Sequence, residues 1–140
     1  MKQLFDSADW LPTLAGALHF IQLPSMVLAR RILGWDREFA RLSPINRGIV
    51  AAIGGGILVC VVGLGLLVAS SHGRLLDSPV GVGLCVFLSV FWAYRGAVQL
   101  FVYGSIWPAD SRAVHHALSV LFVVLTVAYA GAALLGGAAT

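Results

Sequence analysis

The chain has 140 residues, of which 59% are hydrophobic and 11% charged, and its formal net charge is +3. Ordinary soluble domains carry roughly 25% charged residues, so a water-facing globule of that kind is excluded. Mean hydropathy is +0.92, and the apolar residues come in long blocks, which points to lipid as the solvent. In hydrocarbon every backbone N–H and C=O must be satisfied internally, so a chain crosses as helices or as a closed barrel. Barrel strands alternate over about 10 residues, and no such alternation is present. The sequence predicts an all-α integral membrane four-helix bundle, residues 1–140 forming a single membrane domain.

The amino-terminal tail holds Lys2, Asp6 and Asp9, a poor leader for a signal peptide. The first apolar block contains His19, Gln22 and Pro24 without a small-residue cleavage pattern, so it reads as a retained span. Span one covers about 11–28, and Pro24 is expected to kink it by removing the bond to the Phe20 carbonyl. A short interfacial helix follows at about 34–42. There Trp35, Phe39 and Leu42 fall at i, i+4 and i+7, while Arg37, Glu38 and Arg41 lie mostly on other faces. Span two covers about 45–69, span three about 79–103 and span four about 112–135. Each has the ~20 residues needed for ~30 Å of hydrocarbon. Ser43-Pro44 and Ser78-Pro79 each put a capping hydroxyl before a proline at the first helical position. Asp110 or Ser111 is expected to cap span four.

The first loop holds Arg30, Arg31, Arg37, Arg41 and Arg47, the second loop Arg74 and the third Arg112. The positive-inside rule then places loops one and three in the cytoplasm of a cell (inner) membrane, with both termini outside. The arginines of loop one suit anionic headgroups, at about 1 kcal/mol each. This accounts for the basic charge without nucleic acid, for which no binding module is evident.

Span two carries Gly54, Gly55, Gly56, Gly63 and Gly65. Gly56 and Gly63 are seven apart and share a face, as do Ala52 and Gly56 at four. Small residues let membrane helices approach closely. Packing within the bundle is the first expectation for Gly56 and Gly63, and self-association the second. Cys60 and Cys85 lie in separate apolar blocks and read as small packing residues.

Intramembrane polar residues are costly to insert and mark function. The candidates for ligand binding are His19 and Gln22 in span one, Arg95 and Gln99 in span three, and His116 in span four. Helical rise puts His19 near the midplane, Gln22 about 3 Å, Arg95 about 6 Å, and Gln99 and His116 about 12 Å toward the loop-one side. All six acidic residues lie outside the spans. Arg95 therefore has no carboxylate at its own depth, although its insertion costs at least ~2.5 kcal/mol. It snorkels toward headgroups, or meets Gln99, a carbonyl freed by Pro24, Asp36 or Glu38, an anionic ligand or a partner subunit.

Haem is one candidate cofactor, since histidine ligates iron and arginine suits propionates. Ala17-Leu18-His19-Phe20 resembles the first helix of the small four-span protoporphyrinogen-oxidase-like haem proteins, which implies His19 as a ligand. The later motifs of that family have no counterpart here, and His19 and His116 differ by about 13 Å in depth. Quinone is the other candidate, with His, Gln, Arg and Tyr donating to its carbonyls beside Trp92 and Phe91. More widely, Leu42-Ser43-Pro44-Ile45-Asn46-Arg47 and Phe91-Trp92 with Arg95 and Val98-Gln99-Leu100-Phe101 resemble small uncharacterised four-span bacterial membrane proteins. That resemblance implies an architecture and no activity.

No P-loop, G-x-G-x-x-G, H-E-x-x-H or G-x-S-x-G pattern is present, and the sequence leans away from an enzyme. No intramembrane carboxylate supports a proton relay, and no inverted repeat supports a small transporter or channel component. The leading expectation is an accessory or structural subunit that packs with itself or a larger membrane complex. The alternative is a cofactor- or ligand-binding protein.

Overall fold

The computed structural model describes residues 10–71 and 74–137, so Lys2, Asp6 and Asp9 lie outside the described residues. Those residues form five α-helices and no strand. They are α1 (Trp10–Ile32), α2 (Trp35–Arg41), α3 (Pro44–Ala69), α4 (Pro79–Ala97) and α5 (Arg112–Gly137). A π-helical turn, Val98–Tyr103, extends α4, and short 3₁₀ turns at Arg74–Asp77 and Ala109–Ser111 lead into α4 and α5. Four of these segments are long and apolar enough to cross a membrane: Trp10–Ile32, Pro44–Ala69, Pro79–Tyr103 and Ala109–Gly136.

The caps explain where the helices begin and end. Ser43 Oγ accepts from the Asn46 amide at 3.3 Å and Ser78 Oγ from the Gly81 amide at 3.1 Å, each one residue ahead of its proline. α1 runs past Leu28 to Ile32 and continues through Pro24. It stops at Gly34, whose φ of 61° is left-handed, a conformation glycine adopts without steric cost. α2 has no buried residue, and its Trp35 and Phe39 rings stack at 6.1 Å. Its carbonyl end is tied down by Arg47, which donates to the carbonyls of Phe39, Ala40 and Leu42 at 3.1–3.3 Å. Arg47 is thus a capping residue. Asp110 and Ser111 form the 3₁₀ turn ahead of α5, where the Ser111 carbonyl accepts from Trp107 Nε1 at 2.9 Å.

The core lies among α1, α4 and α5 and contains Ala15, Cys85, Leu88, Trp92, Phe122, Leu125 and Tyr129. The main packings are α4 on α5, α1 on α3 and α1 on α5, so α3 is the outermost long helix and is held chiefly by α1. Its seat is built from small residues. A Cβ at Gly16 would come within 2.7 Å of the Ala69 amide nitrogen, and one at Gly65 within 3.0 Å of His19 Cβ. This corrects the expectation for Gly56 and Gly63. Both are exposed, with no atom within 4 Å of the place a Cβ would take. Nine residues separate Gly56 from Gly65, two and a half turns, which puts them on opposite faces. Cys85 is buried as expected, whereas Cys60 is exposed beside Gly56 and Gly63.

The seam between α1 and α3 opens toward loop one. Gly54 lies eleven residues before Gly65 and so on nearly the same face, yet it has no neighbour within 4 Å. α1 and α3 therefore converge near Gly16 and Gly65 and part toward α2.

A candidate functional site in the polar core

Two polar clusters lie inside the bundle. The first is centred on His19, which is 1% exposed. The small residue Gly65 lets α3 lie over it, and α4 and α5 close on its other sides. Tyr129 Oη lies 2.9 Å from His19 Nδ1, and the Ala15 carbonyl lies 3.2 Å from the same nitrogen. The Trp92 ring meets His19 edge-on with centroids 4.8 Å apart and stacks on Phe122 at 5.6 Å. Gln22, one turn along the same face of α1, is 2% exposed.

Three buried polar atoms here have no hydrogen-bond partner: His19 Nε2, Gln22 Oε1 and Trp92 Nε1. Leaving a buried donor or acceptor unmatched costs about 1–3 kcal/mol each, and buried polar groups are overwhelmingly paired. Two proton arrangements satisfy His19 Nδ1. A ring protonated at Nε2 accepts the Tyr129 hydroxyl proton at Nδ1 and leaves an N–H free. A ring protonated at Nδ1 donates to the Ala15 carbonyl and leaves a lone pair on Nε2. In either state Trp92 offers only a donor and Gln22 Oε1 only an acceptor, so the three atoms present one donor, one acceptor and a ring nitrogen that can serve as either.

The second cluster lies nearer loop three. Gln99 Nε2 lies 2.9 Å from His115 Nδ1, and both side chains are buried. Ser119 Oγ donates to the His115 carbonyl at 2.9 Å, and Trp107 packs on the His115 ring at 5.7 Å. Gln99 belongs to the π-helical turn, a local widening frequent at functional sites.

Of the residues singled out from the sequence, His19 and Gln22 are brought together and Gln99 finds a different partner. His116 is exposed and only flanks the second cluster, its ring 5.4 Å from that of His115, which is the buried one. Thirteen residues of α5 separate His116 from Tyr129, about 20 Å of helix, while Tyr129 touches His19. His19 and His116 therefore cannot flank one iron. Arg95 is half-buried, with its guanidinium carbon 5.5 Å from the Phe122 ring centroid. This cation–π contact is worth about 0.5–2 kcal/mol. Asp36 is paired with Arg30 and Glu38 with Arg41 at the surface, and Gln99 is taken by His115. Among the described residues no carboxylate forms an ion pair with Arg95. Sequence reasoning missed Tyr129, and it counted His115 among the intramembrane polar residues but left it out of the candidate ligand set.

Among the described residues no group of three or more His, Cys, Asp or Glu side chains could hold a metal ion. Comparison with known protein families, with curated proteins and with solved structures finds no match. The geometry alone carries the functional reading.

Proposed function

We propose that this small multi-pass membrane protein works as a subunit that associates in the plane of the bilayer through α3, with a second copy of itself as the partner. One observation carries this. α3 is attached chiefly by α1, and the face turned away from that contact is a continuous strip of small residues: Gly48, Ala52, Gly56 and Gly63, all exposed. Exposed leucine or valine is ordinary for a helix in lipid, but a run of glycine and alanine is not required by lipid. Spacing of small residues at every fourth position lets two backbones approach and pack. The strip is self-complementary, as a two-fold contact between identical copies demands.

The test is native mass spectrometry of the protein released from mild detergent. Dimers are expected for the wild type and monomers for Gly56→Leu with Gly63→Leu. Both sites are free of neighbours within the chain, so the double variant keeps its fold. A monomeric wild type contradicts the reading, and so does a complex held only by other proteins.

The three unmatched atoms favour a second reading, in which the His19 cluster binds a small polar or quinone-like ligand. Organic extraction of the purified protein then yields about one ligand per chain, reduced in Trp92→Phe. Orientation belongs to the proposal as well: the arginines of loop one favour loops one and three in the cytoplasm of an inner membrane.

A further inference from the structure

α1 and α5 touch near one end and part toward the other. Leu11 packs against Gly131 and His19 against Tyr129. Beyond that contact, on the side turned away from α4, an open groove of about 560 Å³ runs between them. Its walls are apolar, with Leu18, Ile21, Pro24 and Leu28 on α1 and Ala117 and Leu121 among the residues of α5. From Leu18 to Leu28 is about 15 Å of helix, half of a ~30 Å hydrocarbon layer. The groove thus has the length of one leaflet's acyl region.

One turn past the lining residue Leu28, α1 carries a cation, Arg31. Pro24, Leu28 and Arg31 are spaced i, i+4 and i+7 and share one face of α1. Helical side chains lean toward the preceding turn, which turns Arg31 back toward the Leu28 end of the groove. Arg30 beside it is paired with Asp36, whereas Arg31 is exposed and forms no ion pair among the described residues. Apolar walls of one leaflet's depth under an unpaired guanidinium match an amphiphile with an anionic head.

We infer that the α1–α5 groove is a binding site for one anionic phospholipid, its acyl chain along Leu18 to Leu28 and its phosphate on Arg31. The site is independent of α3 and survives if self-association fails.

The experiment reconstitutes the full chain in nanodiscs containing phosphatidylglycerol and phosphatidylcholine, and reads retained lipid by native mass spectrometry. One phosphatidylglycerol per chain is expected to outlast the bulk lipid. Arg31→Gln is expected to weaken its retention about fivefold, the factor supplied by one cationic side chain near an anionic surface. Ala117→Phe fills the groove from an exposed position and is expected to abolish retention while helical content is unchanged. Arg37→Gln, an exposed arginine of α2, is expected to have no effect. Equal retention of the two lipids overturns the inference, as does undiminished retention in Ala117→Phe or a loss in Arg37→Gln equal to that in Arg31→Gln. A photoreactive group placed at Ser25 that labels protein and not lipid also overturns it.

Discussion

His19 is held by one hydroxyl from across the bundle, and that contact defines the first polar cluster. Tyr129→Phe removes it with little change of volume, and the expected loss is about 0.5–1.5 kcal/mol, measured by reversible unfolding in detergent. No change would show that the Ala15 carbonyl alone holds the ring. The Gln99–His115 pair is expected to show a coupling of about 0.6–1.7 kcal/mol in a double-mutant cycle, the range seen for hydrogen bonds between membrane helices. At this scale the sequence was partly legible. His19 and Gln22 share a face because i, i+3 spacing fixes it. Tyr129 was hidden, and His115 passed over for His116, because apolar residues surround span four on every side and no stripe shows which face is inward. Adjacent residues differ by about 100° around a helix, so choosing His116 over His115 turned the site out of the bundle. Arg95 illustrates a different limit: the sequence showed that it lacks an acidic partner, but its contact with the Phe122 ring needs the fold.

The helices themselves were legible because their signals are local. Capping serines before prolines, apolar length and clustered arginines suffice to place them. Gly34, which stops α1, is also a local signal, though its left-handed φ emerges only in the structure. The pairing of helices is not local. The glycine positions of α3 repeat on more than one face, and periodicity does not say which face meets α1. The close approach uses Gly16 and Gly65, whereas Gly56 and Gly63 face away. The same substitution at two sites separates these roles. Gly65→Val drives side-chain carbons into His19 and is expected to cost about 1–3 kcal/mol of stability. Gly63→Val meets nothing within the chain and is expected to leave monomer stability nearly unchanged. Equal costs would mean that α3 is not seated as described.

For the whole molecule, composition fixed the solvent and the number of crossings, while assembly and orientation depend on what lies around the chain. Arg41→Cys provides the orientation test. Protection from an impermeant thiol reagent in intact cells is expected, and labelling from outside would reverse the topology. The asymmetry of the bundle is the larger matter: α1, α4 and α5 build most of the core, while α3 adds Val68 to it and offers its small-residue face outward. Native Cys60 lies on that face at i, i+4 and i+7 with Gly56 and Gly63, while Cys85 is fully buried. The most direct measurement is therefore oxidative cross-linking of the native protein in its own membrane, read as a shift from the 14.8 kDa chain to twice that mass. Cross-linking through Cys60 that disappears in Gly56→Leu with Gly63→Leu is the expected result. A chain that stays monomeric under oxidation, or one that cross-links equally in both forms, contradicts association through α3.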